Sequence, residues 1–242
     1  MDTNNKPTPV TLSKEDMQEV ARERVSEIAS EFTKGFEFLE HVTPSVTFFG
    51  STQFKEDHPY YISARALGGK IVTDLKYSVL TGGGPGIMEA ANRGAFETGG
   101  KSYGLTIKLP HPQIVNRYIS DEISFYYFFV RKVCLSFSSE AFIFFPGGFG
   151  TLDEFFEMVT LVQTKKVAGI PIICVGADYW HALENYIGNE LLSRGTITAD
   201  DAKLFTITDN LDEVIEIVRK VPPRFHASFH TPSEIKKLES ES

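Results

Sequence analysis

The chain has 242 residues, 42% of them hydrophobic and 23% charged, which is enough apolar material for one α/β core and excludes a disordered chain. A formal net charge of −8 argues against a sequence-independent nucleic-acid binder, which needs a basic surface to displace counterions. No apolar run is long enough to span a membrane and residues 1–12 are polar without an apolar signal core, so a cytoplasmic protein is expected. Cys134 and Cys174 lie among apolar neighbours and read as reduced core cysteines. The His residues show no metal-ligand spacing, so neither a metal nor a cofactor is expected.

Residues 1–12 are expected to be disordered. Ser13, followed by Glu15 and Asp16, opens a helix. Val20, Val25, Ile28, Phe32, Phe36 and Leu39 recur along it at helical spacing until Pro44, a stripe that can pack on the sheet or on a second subunit. Residues 45–50 form an apolar run ending in Gly and Ser, a buried strand that delivers a loop. A helix is predicted over 59–69 and a strand over 77–80, which runs into Thr81-Gly82-Gly83-Gly84-Pro85-Gly86. A helix over 87–97 is stopped by Gly99-Gly100. A strand follows over 102–107, then a Pro- and His-rich loop over 109–112. Residues 123–129 read as a strand feeding a helix that carries Arg131 and Lys132. A strand over 141–145 leads into Pro146-Gly147-Gly148-Phe149-Gly150-Thr151 and a helix to about residue 165. A strand over 171–175, a helix over 179–192, a short strand over 204–207 and a helix over 211–220 complete the pattern. Residues 222–242 read as a polar tail. The alternation of strands and long helices predicts a Rossmann-like, doubly wound, mostly parallel sheet in one domain over 13–221.

Both glycine-rich segments run from a strand into a helix, at the end of the sheet where such folds bind ligands. Neither is a dinucleotide fingerprint: Ile87 and Asp153 stand where the third glycine of GxGxxG belongs. No Walker sequence occurs. The second segment still suits a phosphate, because glycines let the backbone approach an anion and the following helix points free N–H groups at it. Thr151 adds a hydroxyl donor. The same Thr151-Leu152-Asp153-Glu154 also reads as a capping box with no catalytic meaning. Two such loops at one end of a sheet, with Glu89, Arg131 and Glu154 beside them, favour a ligand site.

Thr81-Gly82-Gly83-Gly84-Pro85-Gly86-Ile87-Met88-Glu89-Ala90-Ala91-Asn92 resembles the first motif of the Lonely Guy family, whose members often carry the label "lysine decarboxylase". Pro146-Gly147-Gly148-Phe149-Gly150-Thr151-Leu152-Asp153-Glu154 is similar to its PGGxGTxxE motif at every fixed position. Arg131-Lys132 resembles its Arg-Lys pair, and Gln163-Thr164-Lys165 its Gln-containing helix end. The leading helix, the tail and Asp153-Glu154 depart from the short plant-like members and are similar to a longer bacterial form. The resemblance covers roughly residues 46–218 and implies a homodimer that hydrolyses nucleoside 5′-monophosphates, AMP or cytokinin riboside monophosphates, to free base and ribose 5-phosphate. It implies Glu154 as the group that stabilises the sugar cation and steers water, and Arg131 as the group that orients the phosphate, the ribose or Glu154. Gly147, Gly148, Gly150 and Thr151 would grip the 5′-phosphate. Gly83, Gly84, Glu89, Asn92 and Lys132 would belong to the binding site, and Met88 would lie against the base or in the core. No pyridoxal-phosphate lysine motif supports the decarboxylase label. The alternative is a non-catalytic carrier of a nucleotide or of molybdenum cofactor on the same fold.

Overall fold

A computed structural model describes residues 13–42, 44–110, 114–167 and 169–221. The expectations for residues 1–12 and 222–242 lie outside the described residues. Among the described residues, seven short segments form the strands β1 (Ser45–Phe49), β2 (Ser78–Thr81), β3 (Ser102–Ile107), β4 (Asp121–Phe125), β5 (Ser139–Phe144), β6 (Ile172–Cys174) and β7 (Thr206–Ile207). They make one sheet in the order β4-β3-β2-β1-β5-β6-β7, and every pairing is parallel. β1, β2, β3, β5 and β6 are buried along their whole length, which is why they read as continuous apolar runs rather than alternating ones.

Helices cover both faces. On one lie α1 (Lys14–Glu40), α4 (Phe128–Phe137), α5 (Phe149–Gln163) and α6 (Ala177–Tyr186), packed through Leu39, Val130, Phe155, Met158 and Trp180. On the other lie α2 (Pro59–Leu75), α3 (Ile87–Glu97) and α7 (Leu211–Arg219), packed through Leu67, Ile71, Ala90, Ala91 and Val214. The abundant Phe residues account for much of the first core: Phe49 and Phe144 stack at 4.7 Å between centroids, and Phe155 meets Trp180 at 5.1 Å. Cys134 and Cys174 are both free and buried there, and burial pushes the Cys134 thiol up to about 12.

Ser13 caps α1 as its chemistry predicts, accepting from the Asp16 N–H while the Asp16 carboxylate accepts from the Ser13 N–H. The apolar stripe of α1 docks only from Ile28 onward, with Phe32 against Phe129 and Phe36 against Phe137. Residues 13–27 are exposed.

Several boundaries differ from the sequence expectation. α1 ends at Glu40, before Pro44. α2 does not stop at Gly69 but runs to Leu75, because Gly68 and Gly69 serve close helix packing: a Cβ on Gly68 would overlap the Ala91 carbonyl of α3. β4 begins and ends earlier than predicted. The helix expected over 179–192 starts at Ala177 and passes into a π-helical turn over Ile187–Leu192. The capping box at Thr151 is not formed. α5 starts a turn earlier with Gly148 as its cap, and no side chain bonds its first amides.

Candidate active site

The strand order reverses direction at β1 and β5. The chain leaves β1 for α2 on one face and leaves β5 for α5 on the other, so the loops part and open a crevice at the carboxyl ends of these two strands. A cleft of about 330 Å³ lies there. One wall is the end of β1 and its loop, Phe49, Gly50, Ser51, Thr52 and Gln53. The other is the start of α5, with Gly148, Gly150, Thr151, Asp153 and Glu154. Met88 from α3 and Phe128 and Arg131 from α4 close it.

The start of α5 supplies donors. The first bond that α5 makes back to its cap is Leu152 N–H to the Gly148 carbonyl, at 3.1 Å. Among the described residues, the N–H groups of Gly148, Phe149, Gly150 and Thr151 have no partner. A Cβ on Gly148 or Gly150 would meet nothing within 4 Å, so these glycines leave the cleft floor bare. Gly147 instead makes room for a neighbour, since a Cβ there would overlap the Thr151 side chain, which is buried against it.

Glu154 follows Thr151 by three residues and therefore shares its helix face. It is buried, and its Oε2 has no hydrogen-bond partner. Its Oε1 lies 3.8 Å from Arg131 Nη1, an ion pair without a close hydrogen bond. Burial raises the Glu154 carboxyl to about 7, against the pull of Arg131 and Lys132. Burial also draws the Arg131 guanidinium below its ordinary value, with Glu154 opposing. Arg131 is held by its Nε, which donates to the Leu105 carbonyl at 2.7 Å. A buried carboxyl with one free oxygen, tuned near neutrality beside a fixed guanidinium, is equipped to face a developing cation or to exchange a proton.

The first glycine loop acts underneath. Gly83 and Gly84 are buried and do not line the cleft. A Cβ on Gly82 would overlap the Arg131 guanidinium, and one on Gly84 would come 2.7 Å from the Met88 Cε. The loop is thus a seat for Arg131 and Met88, and Gly83 (φ 76°) and Gly86 (φ 71°) give it its left-handed corners. Asn92 is fully buried below: it accepts from the Thr81 hydroxyl (2.7 Å) and the Asn116 amide (2.9 Å) and donates to the Ser102 hydroxyl (2.6 Å). Glu89 accepts from the Tyr61 hydroxyl at 3.1 Å. Lys132 pairs with Asp153 (2.8 Å) and Glu157 (2.6 Å) and so ties α4 to α5. Of the residues expected from sequence, the cleft gathers Met88, Arg131, Gly148, Gly150, Thr151 and Glu154, with Gly147 just behind; Gly83, Gly84, Glu89, Asn92 and Lys132 stand outside its lining.

Residues 88–218 match the profile of a family described as "Possible lysine decarboxylase". The chain belongs to this family, the Lonely Guy family. Within it, the chain is 26% identical over 178 residues to the cytokinin riboside 5′-monophosphate phosphoribohydrolase LOG5 of Arabidopsis thaliana, covering 73% of this chain and 77% of that one. It is 26% identical over 180 residues to LOG7 of the same plant and name, covering 74% and 82%. Among solved structures it is similar to the molybdenum cofactor carrier protein MCP of Chlamydomonas reinhardtii, with a TM-score of 0.55, 23% identity and coverage of 74% and 97%. The molybdenum cofactor binding protein of Rippkaea orientalis gives a TM-score of 0.53 at 22% identity, with the same coverage. These two likenesses show a shared Rossmann-like fold.

Sequence reasoning missed the wall made by Ser51, Thr52 and Gln53, although the run ending at Gly50 reads as a strand delivering a loop. The signal was the binding rule for carboxyl ends of strands, which nominates this loop once β1 is known to border the crevice. Phe128 and Asn116 carry no local motif.

Proposed function

We propose that this protein hydrolyses the N-glycosidic bond of nucleoside 5′-monophosphates, releasing the free base and ribose 5-phosphate. The observation that carries the reading is one cleft holding both the uncapped amides of α5 and the buried Glu154–Arg131 pair. The amides and the Thr151 hydroxyl receive the 5′-phosphate, and that remote binding energy fixes the sugar. As the C1′–N bond breaks, its electron pair leaves with the base and positive charge gathers on the ribose. The Glu154 carboxylate faces that charge and takes a proton from the water whose oxygen bonds to C1′. The proton then passes to the departing base. Arg131 keeps Glu154 aimed. The named activity of LOG5 and LOG7 supports this assignment.

The decisive experiment is chromatography of the protein incubated with AMP, beside an adenosine control and Glu154→Gln. Adenine from AMP alone, with turnover reduced about a hundredfold in the variant, is the expected result. No base released from any monophosphate, cytokinin nucleotides included, would turn the assignment to the second reading, a nucleotide or molybdenum-cofactor carrier. That reading draws its support from the fold shared with the Chlamydomonas and Rippkaea proteins. We further propose a cytoplasmic homodimer joined across α4 and α5, where Phe128 is exposed at the cleft and Phe149 and Phe156 are exposed along a neighbouring groove of α5.

A further inference from the structure

The carbonyl of Gly147 accepts a hydrogen bond at 2.8 Å from the hydroxyl of Tyr179, a residue outside the cleft lining. In a planar trans peptide the C=O and the following N–H point in opposite directions. Fixing that carbonyl on the Tyr179 side therefore turns the Gly148 N–H the other way, and Gly148 lines the cleft. Tyr179 itself is anchored. The Asp209 carboxylate accepts from the Gly176 N–H (2.6 Å) and the Ala177 N–H (3.1 Å), and so fixes the start of α6. The Tyr60 hydroxyl of α2 donates to Asp178, and the Tyr179 ring meets Trp180 edge-on at 5.1 Å.

We propose that Tyr179 is a positioning residue for the anion cradle of α5, acting through the orientation of the Gly147–Gly148 peptide. The role rests on the proposed phosphate grip but not on hydrolysis. With glycine on each side, no Cβ helps to fix the orientation of this peptide, and the Tyr179 hydroxyl is the side-chain bond that holds its carbonyl, favouring an N–H rather than a carbonyl oxygen facing the ligand. The wrong choice would put partial negative charge against a phosphate. Nothing in the PGGxGT stretch itself supplies this bond.

The test is Tyr179→Phe, which keeps the ring and removes only the donor. Calorimetry would measure binding of inorganic phosphate and adenosine to the wild type and the variant, and of AMP to each in a Glu154→Gln background that suppresses turnover. We expect AMP and phosphate to bind about tenfold more weakly and adenosine to bind as before. In turnover, KM for AMP should rise by the same factor with kcat changed less than about threefold. Unchanged affinity for AMP and phosphate would overturn the proposal. So would a parallel loss for adenosine, which marks general collapse of the cleft. A wild type that binds AMP without cleaving it would overturn the hydrolase reading alone, and the binding comparison would still decide the role of Tyr179.

Discussion

Glu154 titrates where an enzyme working near neutrality can use it, because burial raises its carboxyl to about 7. If its carboxylate does the chemistry, kcat/KM for AMP should climb through pH 7 to a plateau and fall about a hundredfold by pH 5. The same raised value has the opposite effect on folding. The native state holds the Glu154 proton more tightly than the unfolded chain does, so the stability gained from it is complete below about pH 4.5 and is lost as pH rises through about 7. Glu154→Gln should therefore unfold at a higher temperature than the wild type at pH 8, by a difference of about 2–3 kcal/mol, and gain nothing at pH 4. A lower melting temperature at pH 8 would mean that the pairing with Arg131 outweighs the burial. Gly82→Ala should leave the fold intact and displace the Arg131 guanidinium, lowering kcat without unfolding. Glu154, Arg131 and Thr151 were legible in the sequence because their motifs are contiguous. Asn116 and Tyr179 were not, since each acts on a glycine loop more than thirty residues away in sequence, through bonds from Asn116 to Gly83 and from Tyr179 to Gly147.

At the scale of elements, the tightest crossing is between α2 and α3, where backbones touch. A Cβ on Gly68 would overlap the Ala91 carbonyl, and one on Gly94 would overlap the Arg65 carbonyl. Gly68→Ala should destabilise the protein by about 1–3 kcal/mol or more despite the better helix propensity of alanine, measurable by urea denaturation. A stabilised variant would mean that the helices can move apart at no cost. The ambiguity of glycine also explains where the sequence reading failed here. Gly68-Gly69 inside α2 looks like a stop, and only the packing partner distinguishes a seat from a terminus. α3 and β3 were legible to the residue, since Gly86 and Gly99 bracket an uninterrupted helical stretch. For α5 a good capping sequence competed with an uncapped glycine start, and the cleft beside it is what leaves those amides open.

For the whole molecule, the alternation of apolar runs and helices was enough to specify a parallel sheet with two covered faces. It did not specify the strand order, and hence not the crevice between β1 and β5, because that order is set by pairings across the whole chain. Exposed Phe149 and Phe156 set the test of association. If the proposed homodimer closes over this face, Phe156→Asp should shift the protein from dimer to monomer in sedimentation velocity, and an unchanged mass would overturn that placement.

β1 lies in the middle of the sheet and bonds to β5, which begins 90 residues after β1 ends (Phe49 to Ser139). A chain growing at about 5–20 residues per second leaves that edge of β1 without its neighbour for roughly 5–18 seconds. During synthesis β1, β2 and β3 can assemble among themselves, but an apolar strand edge stays open until β5 emerges from the ribosome. Nascent chains arrested before Ser139 should therefore bind holdase chaperones and aggregate when released, and chains arrested well beyond Phe144 should not.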